Sequence, residues 1–294
     1  MPDFPTTLTA IKAILAKYKL APLKSLGQNF LFDHNTLEKI VNAGSVTDED
    51  LVLEIGPGLG ALTWRLAEKA RHVVAVEYDR GLYGILQDLF VDVPNVTLLN
   101  ADFLQVDPAR LLQPWEERVL QFKVIANLPY YITTPLIFKL VESGVPWTTM
   151  VFLVQKEVAD RICAGPGGKE YGTLSVMLNY YGKAEQIGNV SKNVFYPAPQ
   201  VNSAIVRITP DWQRFDPEVY ACLQRVVQAA FGQRRKTLLN AFGVLAEDFG
   251  GKESLADFLE SVGIDPKRRG ETLTVTEFLT VAEGLRSRKQ RDTR

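Results

Sequence analysis

Three groups of residues in this sequence have types and spacings that could do chemistry, and the most specific is Asn127-Leu128-Pro129-Tyr130. An asparagine side-chain carbonyl followed by a constrained backbone carbonyl offers two acceptors to the hydrogens of an exocyclic amine. The residue before a proline is held near extended backbone, so Pro129 helps aim the carbonyl of Leu128. Two such acceptors favour a pyramidal nitrogen whose lone pair points outward. Methylation of adenine N6 needs that help, because its lone pair is otherwise delocalised into the ring. Tyr130 adds a flat face on which a base can stack. A sulfonium is already an activated methyl donor, so positioning and electrostatics suffice without a strong general base. For the tetrapeptide alone, a tight turn with a packed tyrosine is the plainer alternative.

The second group is Glu54-Ile55-Gly56-Pro57-Gly58-Leu59-Gly60, followed by two acids, Glu77 and Asp102. Glycines let the chain turn sharply and let a nucleotide lie against backbone with no Cβ in the way. Glu77 stands 21 residues after Gly56, where a carboxylate can accept from both hydroxyls of a ribose. Asp102 is placed to meet the amine of an adenine, or to cap a helix. Gly56-x-Gly58-x-x-Ala61 also satisfies a loose dinucleotide pattern, which keeps a nicotinamide cofactor open. Glu54 before the glycines and Asp102 after the third strand favour S-adenosylmethionine.

The third group is basic. Arg234-Arg235-Lys236, Lys267-Arg268-Arg269 and the tail from Arg286 to Arg294 concentrate positive charge in the last quarter of a chain whose formal net charge is −1. Local patches, not the total, bind phosphate. Three consecutive cations span most of a helical turn and cannot all face a core. They form either a solvated face or a phosphate-contacting one with salt-dependent affinity. Gln155 to Arg161 reads as an amphipathic helix in which Lys156 and Arg161 could face RNA.

The surrounding elements must position these groups. Apolar runs at 51–55, 73–76, 96–99, 123–126 and 150–154 read as strands buried on both faces, and 61–69, 81–90 and 134–141 read as helices between them. That alternation implies βαβ units and a doubly wound, mainly parallel sheet. Thr173 to Tyr181 and Ser203 to Thr209 read as further sheet elements, and from about Asp216 the chain reads as helices only. The expected division is a catalytic domain over 1–212 and a smaller all-helical, RNA-binding domain over 213–294.

Composition excludes several classes. No apolar run is long enough to span a bilayer, and the first twenty residues lack the apolar core of a signal peptide. Cys163 and Cys222 stand alone and His34 and His72 sit in no motif, so no metal site is expected. A cytoplasmic location follows as the default.

Taken in order, these motifs resemble those of the ribosomal RNA adenine N6,N6-dimethyltransferase family, whose small-subunit members modify two adjacent adenosines near the 3′ end of 16S ribosomal RNA. The resemblance runs over nearly the whole chain: Lys24 to Leu31, the glycine loop, Val76 to Asp79, Asn100 to Asp102, Asn127 to Tyr130, Gln155 to Arg161, Phe195 to Ser203 and Phe231 to Asn240. It implies a Rossmann-like class I methyltransferase fold using S-adenosyl-L-methionine and releasing S-adenosyl-L-homocysteine. By the same resemblance Gln28, Asn29, Leu31, Gly56, Gly58, Glu77, Asp102 and Asn127 would hold the cofactor. Asn127, Leu128, Pro129 and Tyr130 would hold the adenine, with Phe195 on its other face. Lys156, Arg161, Arg234, Arg235 and Lys236 would contact RNA. Arg269 to Leu273 fits a family pattern and could form an ion pair that docks the helical lobe. The expected partner is 16S ribosomal RNA within the small subunit, the expected state a monomer. Three rivals stand beside this: a nicotinamide oxidoreductase, a large-subunit adenine N6-methyltransferase of the macrolide-resistance type, and a non-catalytic assembly factor on the same fold.

Overall fold

The computed structural model describes residues 5–23, 26–116 and 121–292. Lys24, Ser25 and the last two residues of the basic tail therefore lie outside the described residues. The chain separates into two compact units, one formed by 1–159 with 185–210 and the other by 160–184 with 211–294. The second unit thus takes in 160–184, which a division at 212/213 places in the first.

In the first unit, α1 (Leu8–Lys17) leads through β1 (Phe30–Leu31) and α2 (His34–Ala43) into β2 (Asp50–Ile55). Then come α3 (Ala61–Ala67), β3 (His72–Glu77), α4 (Arg80–Leu89), β4 (Val96–Asn100), α5 (Pro108–Leu112) and β5 (Gln121–Asn127). The wind continues with α6 (Thr133–Val141), β6 (Trp147–Gln155) and the start of α7 (Lys156–Ile162), whose last three residues belong to the second unit. The unit closes with β7 (Gly182–Val190), whose first residues also belong to the second unit, then β8 (Phe195–Tyr196) and β9 (Ser203–Pro210).

Seven strands form one sheet in the order β4-β3-β2-β5-β6-β9-β7, with β1 and β8 pairing separately. β4, β3, β2, β5 and β6 run parallel, and β9 runs antiparallel to β6. The central strands are apolar because helices cover both faces: every residue of β2 is buried. The chain goes one way from β2 to β3 and β4, then returns to the other side of β2 as β5. The resulting switch point leaves a crevice at the carboxyl ends of β2 and β5, where such sheets bind ligands.

The strands expected from sequence at 51–55, 73–76, 96–99, 123–126 and 150–154 all lie inside β2 to β6. Thr173–Tyr181 does not: it is a helix, α8, not a sheet element. Seven of its side chains, from Leu174 to Tyr181, are buried, so no polar stripe reveals the helical period. Its start is fixed by Ser175, whose hydroxyl accepts from the Gly172 N–H at 3.1 Å and donates to the Arg161 carbonyl at 2.5 Å.

The second unit continues with α9 (Pro217–Gly232), α10 (Leu238–Ala241), α11 (Lys252–Ser261) and α12 (Val275–Asp292). Asp216 caps α9 by accepting from the N–H groups of Glu218 and Val219, with Pro217 at the first helical position. Gly270 packs against α9 so closely that a Cβ there would lie 3.0 Å from the Ala230 carbonyl oxygen, which explains the glycine within Arg269 to Leu273. The expected ion pair of that segment is made by the preceding residue, Arg268, which pairs with Glu277 inside the unit.

Candidate active site

Four carboxyl ends converge on a cavity of about 310 Å³ in the first unit. Glu54 and Ile55 end β2, Glu77 ends β3, Asn100 ends β4 with Asp102 just after it, and Asn127 ends β5. The glycine loop forms the floor. Gly56, Gly58 and Gly60 take φ values of 69°, 62° and 87°, a left-handed conformation that side chains disfavour. A Cβ at Gly56 would sit 3.4 Å from Pro129, and one at Gly58 3.2 Å from the Phe30 ring. The loop is therefore pressed between the Asn-Leu-Pro-Tyr turn and the segment from Gly27 to Leu31.

Glu77 is 6% exposed; its Oε2 accepts from the Gly58 N–H at 3.1 Å and its Oε1 from the Asp79 N–H at 2.8 Å. Asp102 also lines the cavity, and its Oδ1 caps a following turn by accepting from Leu104 at 3.0 Å. The capping reading of Asp102 is thus realised, in a residue that also lines the cavity. Asn127 donates from Nδ2 to the Asn29 carbonyl at 3.4 Å, which leaves Oδ1 as the end available to an incoming amine. The Leu128 N–H donates to the Leu153 carbonyl at 3.2 Å and pins the turn to β6. Tyr130 is half-buried and its hydroxyl lies 2.6 Å from Ser203 Oγ.

The family model described as ribosomal RNA adenine dimethylase matches residues 22–286. The chain belongs to the ribosomal RNA adenine dimethylase family. It is 44% identical over 284 residues to "Ribosomal RNA small subunit methyltransferase A" of Anoxybacillus flavithermus, covering 95% of each chain. It is 45% identical to the protein of that name from Bacillus mycoides, over 93% of this chain and 94% of the other. Among solved structures it resembles a dimethyladenosine transferase from Plasmodium falciparum, with a TM-score of 0.76 and 25% identity over 88% of this chain and 98% of that one. The 23S rRNA methyltransferase ErmE gives a TM-score of 0.67 at 25% identity, over 87% and 99%. The α/β sheet is accordingly that of a class I methyltransferase.

Within this dimethylase-family chain, the remaining predicted site residues take several places. Gln28 lines the cavity with its amide already engaged: Nε2 donates to Asp79 at 3.0 Å and Oε1 accepts from the Leu23 N–H at 2.8 Å. It fixes Asp79, which caps α4 beside Glu77. Asn29 donates to the Gly27 carbonyl at 2.8 Å, and Leu31 is both core and cavity wall. Phe195 departs from expectation. It is 3% exposed, pairs in register with Leu31 across β1 and β8, and joins the hydrophobic cluster beneath the cavity instead of lining it. The aromatic slot seen in the sequence therefore shows one open ring, Tyr130.

Lys156 begins α7 in the first unit, and Arg161 lies on its second-unit end. Arg234, Arg235 and Lys236 are exposed but not helical: α9 ends at Gly232, and the three cations occupy the turn that follows. Arg234 is further committed, donating to the carbonyls of Lys169 and Tyr171 at 3.2 and 2.7 Å.

Sequence reasoning used Glu54 to discriminate between cofactors and missed it as a site residue. It lines the cavity at 1% exposure, and its Oε2 has no hydrogen-bond partner among the described residues. Burial pushes this carboxyl up to about 8, the Thr63 hydroxyl opposing the shift and the Glu77 charge adding to it. Burial likewise raises Glu77 to about 7, against the backbone donors of Asp79 and Gly58. Tyr78 and Tyr131 were also missed. Both line the cavity while 56% and 52% exposed, so they stand at its mouth.

Proposed function

We propose that this chain transfers methyl groups from S-adenosyl-L-methionine to N6 of two adjacent adenosines near the 3′ end of 16S ribosomal RNA, acting on the small subunit in the cytoplasm as a monomer. The observation that carries the reading is the placement of Asn127 Oδ1 at the end of β5, beside a glycine-floored cavity edged by buried carboxyls. The curated relatives named for the small subunit favour that substrate over the large-subunit alternative.

The residues present fit the cofactor. Glu77 offers a buried carboxylate to a ribose, and Glu54 holds an unpartnered acceptor that a ligand's ammonium would satisfy. A buried polar atom without a partner costs about 1–3 kcal/mol, and a bound donor removes that cost. Gly56 and Gly58 let backbone approach the ligand, and Asp102 keeps one oxygen for an adenine amine. Gln28 and Asn29 hold the segment that closes the cavity. S-adenosylmethionine, when bound, supplies a sulfonium-activated methyl group.

The protein's part is orientation. Asn127 Oδ1 and the Leu128 carbonyl accept the two N6 hydrogens of an unstacked adenine and turn its lone pair toward the donor. Tyr130, anchored by Ser203, supports one face of the base. Phe195, paired with Leu31 and buried beside it, supports the cavity wall from within the core. The proton lost from N6 passes to water, because the methylated amine becomes acidic as its bond forms. Phosphate contacts come from Lys156 and Arg161 and, in the turn at 234–236, from Arg235 and Lys236.

Purified protein, labelled cofactor and unmethylated small subunits test this directly, with the label mapped by nuclease digestion and mass spectrometry. Dimethyladenosine at two neighbouring small-subunit positions is expected. Label in large-subunit RNA, or none, contradicts the reading.

A further inference from the structure

We propose that the glycine-rich segment 164–170 of the second unit is an RNA-contacting element, and that Arg234 clamps it in place instead of meeting phosphate itself. The proposal rests on the RNA reading above. Its first support is the way the segment is held. The Gly167 N–H donates to the Glu271 carbonyl at 2.7 Å, and the Arg234 guanidinium donates to Lys169 and Tyr171. That guanidinium also stacks 5.6 Å above the Phe231 ring, which packs edge-on against Tyr171 at 5.9 Å and lies 5.8 Å from Phe278. Both bonds leave one terminal nitrogen, Nη2, which ties two carbonyls while the guanidinium lies over a ring. Arg234, though exposed, is tethered to the segment and fastens it to the turn after α9.

The second support is what the segment then presents. Gly165 to Lys169 are exposed. A Cβ at Gly165 would meet nothing within 4 Å, so no packing inside the protein asks for glycine there. Bare backbone of this kind lets a phosphate come close to peptide N–H groups. Lys169 is the segment's one cation.

Backbone bonds gather further charge beside it. Leu238 donates to the Arg268 carbonyl at 2.7 Å and Leu239 to the Pro266 carbonyl at 3.1 Å, joining the run 267–269 to the residues after Lys236. Arg268 is neutralised by Glu277. Lys169, Arg235, Lys236, Lys267 and Arg269 make no ion pair with a described residue, and Glu170, Asp265 and Glu271 are the acids among them. Three chain segments, tied together by these bonds and by Arg234, thus offer a cationic ridge that includes Lys169. A polyanion with regularly spaced charge, such as an RNA backbone, fits this ridge.

The test is binding of the full-length protein to small-subunit ribosomal RNA over a range of KCl concentrations, together with amide exchange across 164–172. Lys169→Gln should weaken binding several-fold and reduce the slope of log affinity against log salt by about 0.7–0.9, the amount expected for one lost phosphate contact. Arg235→Gln with Lys236→Gln should reduce it by about twice that. Arg234→Ala should speed exchange in 164–172 and speed trypsin cleavage after Lys169, and Arg234→Gln, which keeps a donor without the charge, should restore part of the protection. A normal slope for Lys169→Gln while the double variant loses its share overturns the inference and spares the RNA reading. If the double variant also keeps the slope, the RNA reading of this turn fails. Unchanged exchange in the Arg234 variants, with a slope reduced like that of Lys169→Gln, makes Arg234 a phosphate contact and removes the clamp.

Discussion

Strand β2 buries two acids four residues apart, Asp50 at its amino end and Glu54 near its carboxyl end, and the protein treats them in opposite ways. Asp50 Oδ2 accepts from Lys123 Nζ at 2.7 Å and from the Thr47 N–H at 2.7 Å, while Lys123 also donates to the Ser45 carbonyl at 2.9 Å. Glu54 lines the cavity, and its buried Oε2 has no hydrogen-bond partner among the described residues. Asp50 Oδ1 is likewise buried without a hydrogen-bond partner among the described residues. What differs is the charge: Asp50 is paired with Lys123 inside the chain, and Glu54 makes no ion pair with a described residue and lines the cavity. The lesson is that the two ends of one strand divide the work, the amino end holding its acid in an ion pair and the carboxyl end leaving an unpaired acid at the cavity.

The sharpest way to break this contrast is to remove each partner. Lys123→Met strands Asp50 in the core and should cost about 3–5 kcal/mol of stability in denaturant unfolding. Cofactor affinity, measured where the variant is still folded, should stay within about threefold of normal. A large loss of affinity at normal stability would make the amino end part of the site.

Asn127→Ala removes an acceptor used at the moment of transfer. A fall in kcat of about 10²–10³-fold is expected, with a change in stability below about 1 kcal/mol. Normal dimethylation by this variant is incompatible with the role given to Oδ1.

Glu54→Gln separates binding from folding. The raised carboxyl means that the folded, ligand-free protein binds more protons than the unfolded chain between about pH 4.5 and 8. Its stability contribution therefore falls as pH rises through that window. The glutamine variant should melt a few degrees higher at pH 8 without ligand, yet bind S-adenosylhomocysteine about tenfold more weakly. Phe195→Leu sets a smaller test. It should lower stability by about 1 kcal/mol and kcat by about tenfold; an unchanged kcat leaves Phe195 a core residue only.

Much of this was legible in the sequence, for reasons that differ by region. Strands β2 to β6 stood out because burial on both faces makes near-continuous apolar runs. The glycine loop, Glu77, Asp102 and Asn127 were readable because their types and positions after strands state a need. α8 was misread as a sheet element because a helix buried on almost every side loses its period. β7, Gly182–Val190, went unseen because it is a largely polar strand at the end of the sheet. Arg234 read as one of three equivalent cations, since a charge run says nothing about which member is tethered. Glu54 was visible as an acid ending an apolar run, but its lack of a partner is a property of the packed structure.

Calorimetric titration of S-adenosylhomocysteine into the full-length protein from pH 6 to pH 8.5, in buffers of different ionisation heat, tests the carboxyl-edge site most directly. With Glu77 near 7 and Glu54 near 8 when free, binding should release protons and affinity should rise as pH increases through that range. Glu77→Ala should abolish the heat, and Lys123→Met should retain it. Binding that is independent of pH and of both glutamates, or no binding at all, contradicts the assignment.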